Sequence, residues 1–323
     1  MTCRPTTIQQ LTEELASANN RGEQGLTFNL EALNRIIEYN PADMTVTVET
    51  GLTLAALQVQ LAKHGQWLPI DPPNPDKATL ADILNANASG PHRFGYGTIR
   101  EHLLGLTVAM ADGRLIHSGG KVVKNVAGYD LCKLFVGSRG TLGVIVEATF
   151  KVRPLPEAEQ IVTTRCDSLS HAATLLEAIQ QSELTPVVLD LVGCPPFRVS
   201  DADSLKAGQQ TPRLVLGFAG TREEVAWQLE KAAQIGVTTA GELDYERSFW
   251  SNAEGAPPHR FSVLPSRMIE VLCGLGASEF VARAGNGTIY YRGGKAPPKA
   301  ELPFTLMARI KETYDPKHLM PNL

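Results

Sequence analysis

Apolar positions along the chain repeat with two periods. Over residues 6–18 (TTIQQLTEELASA), Ile8, Leu11 and Leu15 recur at helical spacing and Thr7 is placed to cap, so the segment predicts a helix. NNRGEQG at 19–25 is polar and turn-like, residues 30–37 form a short apolar-periodic segment, and Asn40-Pro41 marks a turn. Thr45 to Glu49 (TVTVE) alternates with β-branched residues, the pattern of a strand. Leu54, Leu57 and Leu61 then predict a helix over 53–63 that closes on His64-Gly65. A proline-laden loop, LPIDPPNPDKATL, leads into the small-residue segment ADILNANASGPHRFGYG. Strands are expected at 105–111 and 114–118, joined by the hairpin signal Asp112-Gly113, and a long strand from Val144 to Val152. Pro154 and Pro156 stop that strand and mark a boundary.

Beyond it the pattern changes. Strand 161–166, helix 168–181, strand 186–193, strand 213–219, helix 221–235 and a short strand near 237–243 follow in the order of a ferredoxin-like split β-α-β unit. Asp167 or Ser168 can cap the first helix, and Thr221 with Glu224 forms a capping box for the second. Residues 195–212 read as a loop. Strand-like segments recur at 260–264, 268–273 and 279–292, and a linker at 293–303 precedes a closing helix at 304–313 and YDPKHLMPNL. The expected organisation is α+β in two parts: residues 1–156 with a return at 300–323, and residues 157–299 as a second, ferredoxin-like domain.

Composition narrows the function classes. The 323 residues are 43% hydrophobic and 20% charged, with a net charge of −4, which is ordinary for a globular chain. No basic block or basic-aromatic interleaving is present, so nucleic acid is not an expected partner. No run approaches eighteen apolar residues, and MTCRPTTIQQLTEEL has no secretory signature. Cys3, Cys132, Cys166, Cys194 and Cys273 are scattered without a C-x-x-C, a spacing that supports neither an iron–sulfur cluster nor a zinc site. A reduced, cytoplasmic location is the expectation, with any membrane association made through partners.

The chemistry-bearing block is 68–150. A dinucleotide's diphosphate needs backbone N–H groups that approach closely, which glycines and small residues allow. Ala78-Thr79-Leu80, then Asn85-Ala86-Asn87-Ala88-Ser89-Gly90, Gly95 and Gly97, and the triplet-spaced Gly137, Gly140 and Gly143 of GSRGTLG provide them. Thr79, Ser89, Ser138 and Thr141 add hydroxyl donors. Composition alone leaves two readings open: tight turns in a β-rich domain, or loops around an extended cofactor. No G-x-G-x-x-G opens a helix and no Walker A motif is present.

The long string LPIDPP…ATLADILNANASGPHRFGYGTIREHLLGLTVAMADGRLIHSGGKVVKNVAGYDLCKLFVGSRGTLGVIVEATFKVRPLP, with NRIIEYNPADMTVTVETGLTLAALQ before it, resembles the FAD-linked oxidase family. That family includes vanillyl-alcohol oxidase, D-lactate dehydrogenases and the FAD-binding subunits of bacterial glycolate oxidases. The resemblance runs from about residue 30 to 156 and is weaker elsewhere. It implies a two-subdomain FAD-binding fold of the vanillyl-alcohol oxidase type with a ferredoxin-like cap, and non-covalent FAD between the subdomains. It carries FAD contacts onto Pro69, Asp71 and Pro72 near the flavin end, and onto Thr79, Leu80, Asn87, Ser89, Gly90 and Gly97 in the diphosphate and ring region. Gly137, Ser138, Gly140, Gly143, Val144 and Ile145 would meet the adenine end. Tyr129 and Asp130 match the family's Y-D-L element, read as a buried phenol with a turn carboxylate. The implied partners are a homologous catalytic flavoprotein subunit and an iron–sulfur subunit, acting together on a 2-hydroxy acid.

Four departures fall on the cofactor site. NNRGEQG stands where the family carries a glycine-rich diphosphate loop, and Ala81-Asp82 replaces the usual Gly-Gly, putting a carboxylate beside a diphosphate unless it turns away. Arg139 fills the variable position of GS-x-GTLG, and MPNL replaces the usual N-P-G. Weaker FAD binding than in relatives that keep the loop is expected, with an assembly subunit that has lost FAD as the alternative. The family's histidine motif (H-x-H…H-G-D-G-N) is absent, and AGNGTIYY at 284–291 has no histidine. No catalytic residue is assigned, and the chain alone is not expected to oxidise hydroxy acids. His92 lies near the expected flavin face, where covalent flavin linkage is a minor alternative.

Overall fold

A computed structural model of the protein describes residues 2–120, 130–193, 211–251, 257–277, 279–297 and 303–322. The chain divides into two units: Met1–Ser89 with Gly97–Leu155 and Glu301–Leu323, and Gly90–Tyr96 with Pro156–Ala300.

In the first unit, the alternation in TVTVE sends Val46 and Val48 to one face of a five-stranded antiparallel sheet. The strand order is Ile36–Asn40, Thr45–Glu49, Val144–Lys151, Leu103–Ala109 and Leu115–Gly119. Leu54, Leu57 and Leu61 of the Leu54–Ala62 helix, capped by Thr53, pack with Val46, Val48, Val108 and Phe150. Each such side chain contributes roughly 1.5–3 kcal/mol on full burial. The helix expected near 6–18 spans Ile8–Arg21, with the Thr7 hydroxyl accepting from Gln10 N–H and Gly22 in the left-handed region behind it. Its Leu11 and Leu15 form a second core with Ala109, Val144, Val146, Leu319 and Met320. The Asp112-Gly113 signal does close a hairpin. Gly113 has φ +85°, and a Cβ there would stand 2.6 Å from the Thr12 carbonyl oxygen, so the turn presses directly on the first helix.

The small-residue segment holds an element that composition hid: a helix at Leu80–Ala86, between Thr79 as N-cap and Asn87, at φ +47°, as C-cap. The closing helix of this unit is Phe304–Tyr314.

The second unit has a seven-stranded antiparallel sheet in the order Thr239–Ala240, Ala158–Arg165, Arg213–Gly220, Val188–Gly193, Glu279–Arg283, Thr288–Arg292, His259–Ser262. Its first four strands, with helices Leu169–Gln181 and Arg222–Gln234, make the ferredoxin-like β-α-β-β-α-β unit with the fourth strand beside the first. Ser168 caps one helix and Thr221 with Glu224 closes a capping box on the other. The segment expected as a strand at 268–273 is instead a helix, Met268–Leu275. Ile269 and Val271 suggest a strand, but Met268, Leu272 and Leu275 at i, i+4 and i+7 are the buried positions, and Gly276 ends the helix in the left-handed region. The 279–292 segment is a hairpin of two strands. The helix Asp244–Ser251 went unread because its buried positions are aromatic, Tyr245 and Phe249, in a polar run. Tyr245 donates to the buried Asp190, which Arg283 also pairs, and Arg283 bridges on to Glu246. The expected 195–212 loop falls largely on residues 194–210, outside the described residues, as does Cys194.

Candidate cofactor site

The Leu80–Ala86 helix positions a groove in the first unit. Its walls are Leu26–Glu31, the Thr79–Asn85 segment, Arg139, Gly140, Gly143 and Val144, and the tail residues Met320 and Pro321, enclosing about 330 Å³. Gly51 sets one wall: a Cβ there would stand 1.8 Å from the Leu30 carbonyl oxygen, so only glycine lets the Leu30–Leu33 turn close in. The Leu33 N–H to Leu30 carbonyl bond, 2.7 Å, holds that turn.

The Asp82 carboxylate, exposed at this wall, does not hang free toward the groove. Its Oδ2 accepts from the Thr79 N–H at 3.0 Å and from the Thr79 hydroxyl at 2.6 Å, while Asp82 N–H donates to Thr79 Oγ1 at 3.2 Å. This is a capping box with Asp82 as N3. The other amides of the turn are also engaged: Leu80 N–H to Leu52 carbonyl, 2.9 Å; Ala81 N–H to Thr50 carbonyl, 2.7 Å; Ile83 N–H to Thr79 carbonyl, 3.1 Å. From Thr79 to Ile83 the wall therefore presents a carboxylate and offers no unused backbone donor.

Polar atoms without partners gather farther along. Asn85 Oδ1, Asn87 Oδ1 and Ser138 Oγ are buried with no hydrogen-bond partner among the described residues. Buried polar groups are rarely left unpaired without a ligand, ion or water to meet them. The two segments are stitched together: Gly137 N–H donates to Leu84 carbonyl and Arg139 N–H to Asn85 carbonyl, both at 2.9 Å. Gly137 and Arg139 carry positive φ, +86° and +55°.

The expected site residues fall into distinct settings. Thr79, Gly140, Gly143 and Val144 line the groove. Gly137 and Ser138 instead line a second hollow of about 540 Å³ on the Phe304–Tyr314 side, with Arg139 shared by both. Leu80 and Ile145 are fully buried core residues, and the Ile145 carbonyl accepts the Thr50 hydroxyl at 2.6 Å. Pro69 and Pro72 are buried and Asp71 half-buried, away from the groove's lining. Ser89 is half-buried, Gly97 turns at φ +85° before the Thr98 cap, and Gly90 belongs to the second unit. Tyr129 lies outside the described residues with the rest of 121–129, whereas Asp130 precedes the Leu131–Phe135 helix and pairs with Lys133 at 3.4 Å.

Sequence reasoning assigned no site role to the Asn85 side chain and missed the Lys311–Asp315 pair that holds the tail. Lys311 is buried, donating from Nζ to Thr141 carbonyl (2.8 Å), Pro321 carbonyl (3.0 Å), Met320 carbonyl (3.3 Å) and the fully buried Asp315. Asp315 in turn accepts the Leu319 and Met320 N–H groups at 2.9 Å. The i, i+4 spacing of Lys311 and Asp315 was visible in sequence; their burial depends on the tail folding back. No histidine lines the groove. His92 sits in the second unit with Nε2 2.6 Å from Glu159 Oε1, and the His117 ring contacts Thr107, whose hydroxyl donates to Glu147. Among the described residues no helix is long and apolar enough to cross a membrane.

Residues 4–119 match the FAD binding domain family. Glycolate oxidase subunit GlcD of Bacillus subtilis (strain 168) is 32% identical over 216 residues, 66% of this chain and 46% of that protein. Glycolate oxidase subunit GlcE of Escherichia coli (strain K12) is 37% identical over 158 residues, 49% of this chain and 43% of that protein. A probable mitochondrial D-lactate dehydrogenase of Danio rerio is 32% identical over 224 residues, 65% of this chain and 43% of that protein. The chain thus spans less than half the length of these relatives. In structure it resembles alkyldihydroxyacetonephosphate synthase, with a TM-score of 0.75 at 17% identity over 99% of this chain and 76% of that one. The fold is the FAD-binding fold of the vanillyl-alcohol oxidase type, and FAD is the cofactor of the matched domain. The unpartnered Asn85 and Asn87 atoms fit a polar ligand of that kind, whereas residues 79–83 offer no unused backbone donor.

Proposed function

With residues 4–119 an FAD binding domain of the FAD-linked oxidase family as premise, we propose that the chain is the FAD-binding subunit of a glycolate oxidase-like, 2-hydroxy-acid oxidoreductase complex. Residues 1–156 with 300–323 form its FAD-binding domain and 157–299 its cap. FAD, when bound, supplies a hydride acceptor. The chain's own part is to hold it. Asn85 and Asn87 give buried polar atoms, Gly140, Gly143 and Val144 form a wall without long side chains, and Arg139 supplies a positive charge. The unpartnered atoms on the 85–87 segment, within a fold of this family, are the observation that carries the reading. No histidine lines the groove, so a homologous catalytic flavoprotein subunit provides the base that takes the hydroxyl proton, and an iron–sulfur subunit receives the electrons. The complex works in the cytoplasm, reaching a membrane only through its partners.

A second reading, an assembly subunit of the same complex with weakened or lost FAD, is favoured by one observation: every backbone donor from Thr79 to Ile83 is already used and Asp82 adds a negative charge. The visible spectrum of the purified chain before and after dialysis separates the two. A flavin band near roughly 450 nm that survives dialysis supports the first reading. A colourless chain that does not take up added FAD supports the second. Robust dye reduction by the pure chain with glycolate or D-lactate would overturn the assignment of catalysis to a partner.

A further inference from the structure

The hollow beside the first groove is the larger of the two and differs in chemistry. Arg100, Lys133 and Arg139 bring three cations to it, Lys133 being paired with Asp130, and no carboxylate is among its described lining residues. Leu134, Val136, Leu142, Phe304, Met307 and Ile310 give it an apolar floor and rim. Two donors inside are unused: Arg100 Nε and Ser138 Oγ are buried and make no hydrogen bond among the described residues. Arg100 is held in place by its own Nη2, which donates to the Val136 carbonyl at 2.7 Å, so its free edge is pre-set. Phe304, 61% exposed, adds apolar surface to the lining.

A half-buried guanidinium with an unpaired Nε, in the same hollow as an unpaired hydroxyl, asks for an anion, because a cation taken partly out of water without a counter-charge is costly. The surrounding apolar surface asks for a hydrocarbon body behind that anion. At about 540 Å³ the hollow lies within the usual size of small-molecule sites, roughly 300–1,000 Å³, and far exceeds a bare inorganic ion. We infer that it is a binding site for an organic carboxylate with an apolar body, aryl or medium-chain acyl, whose carboxylate meets Arg100 Nε and Ser138 Oγ and whose chain lies against Leu134, Met307 and Phe304. The site is separate from the first groove, although Arg139 lines both.

Calorimetric titration of the full chain with octanoate tests this, with octan-1-ol and inorganic phosphate as controls. Octanoate is expected to bind one to one, at least tenfold tighter than either control, and to weaken as salt rises. Ser138→Ala should lower its affinity about tenfold, the loss of one hydrogen bond to a charged group. Phe304→Glu, at an exposed position that folding does not need, should lower it at least as far while leaving flavin content and thermal unfolding unchanged. Phosphate binding as tightly as octanoate, octan-1-ol binding as tightly as octanoate, or octanoate affinity unmoved by both substitutions would each overturn the inference. A chain that holds no flavin yet binds octanoate in this pattern leaves it standing, so its failure is distinct from failure of the cofactor reading.

Discussion

Replacing Lys311 with Met keeps most of the side-chain volume and removes one buried charge. In the native chain the ammonium donates to three carbonyls and to Asp315, which has no solvent exposure. Lys311→Met leaves that carboxylate with only the Leu319 and Met320 N–H groups, and leaves Thr141, Met320 and Pro321 carbonyls short of a donor. Breaking one side of a buried pair costs about 3–5 kcal/mol. For a unit of this size each kcal/mol lowers the midpoint by about 2–4 °C, so the expected drop is roughly 6–20 °C by calorimetry. Lys311→Met with Asp315→Asn removes both charges, keeps an acceptor for the tail amides, and should recover more than half of the loss. A single-variant loss under about 1 kcal/mol, or a double variant no more stable than the single, would refute the view that this pair pins the tail.

Asp82→Gly opens the capping box, which should destabilise the first unit by about 0.5–2 kcal/mol in urea. It also frees the Thr79 N–H and hydroxyl, so FAD binding by fluorescence titration should tighten about tenfold or more; unchanged affinity would mean this turn does not meet the diphosphate. Burial, then the neighbouring Asp190 charge, pushes the Tyr245 phenol well above its usual value of 10.0. The stability it contributes is present below pH 10 and lost above it, so urea midpoints should fall more steeply above pH 10 in the native chain than in Tyr245→Phe. Burial alone pushes the Glu49 carboxyl up, but the hydrogen bonds and charge of Arg35 reverse this and hold it below 4.5. Its contribution is present above pH 4.5 and lost as pH falls, so the penalty of Arg35→Met should be large at pH 7 and shrink below pH 4.5; an equal penalty at both would show the pair to be inert.

Local signals that need only neighbouring residues were legible. Thr7, Ser168 and Thr221 cap as their spacing indicates, and the alternation in TVTVE gives the strand. What was not legible depends on partners distant in sequence. Thr79-x-x-Asp82 is itself a capping signature, yet Asp82 reads as a stray charge until the Leu80–Ala86 helix is seen. MIEVLCGL satisfies both a strand and a helix pattern, and only packing of Met268, Leu272 and Leu275 into the ferredoxin-like core decides it. Gly90–Tyr96 reads as part of the first domain, but Gly95 N–H donates to the Val187 carbonyl at 3.0 Å and His92 pairs with Glu159, contacts within the second unit. The glycine loop GSRGTLG stands out in composition, whereas its division between two hollows, at turns where Gly137, Arg139 and Gly140 take positive φ, does not.

The tail that Lys311 secures also fixes a moment in the life of the chain. The groove's walls come from residues 26–31, 79–85, 139–144 and 320–321. On a ribosome making about 5–20 residues per second, about 9–35 seconds separate the emergence of Val144 from that of Met320. Through that interval Leu11 and Leu15 are already made while their partners Leu319 and Met320 are not, so the nascent first unit shows an uncovered apolar seam to any chaperone nearby. Translation that stops short of the tail therefore yields a chain with three walls of a groove and no fourth, and any ligand of that groove can be taken up only late.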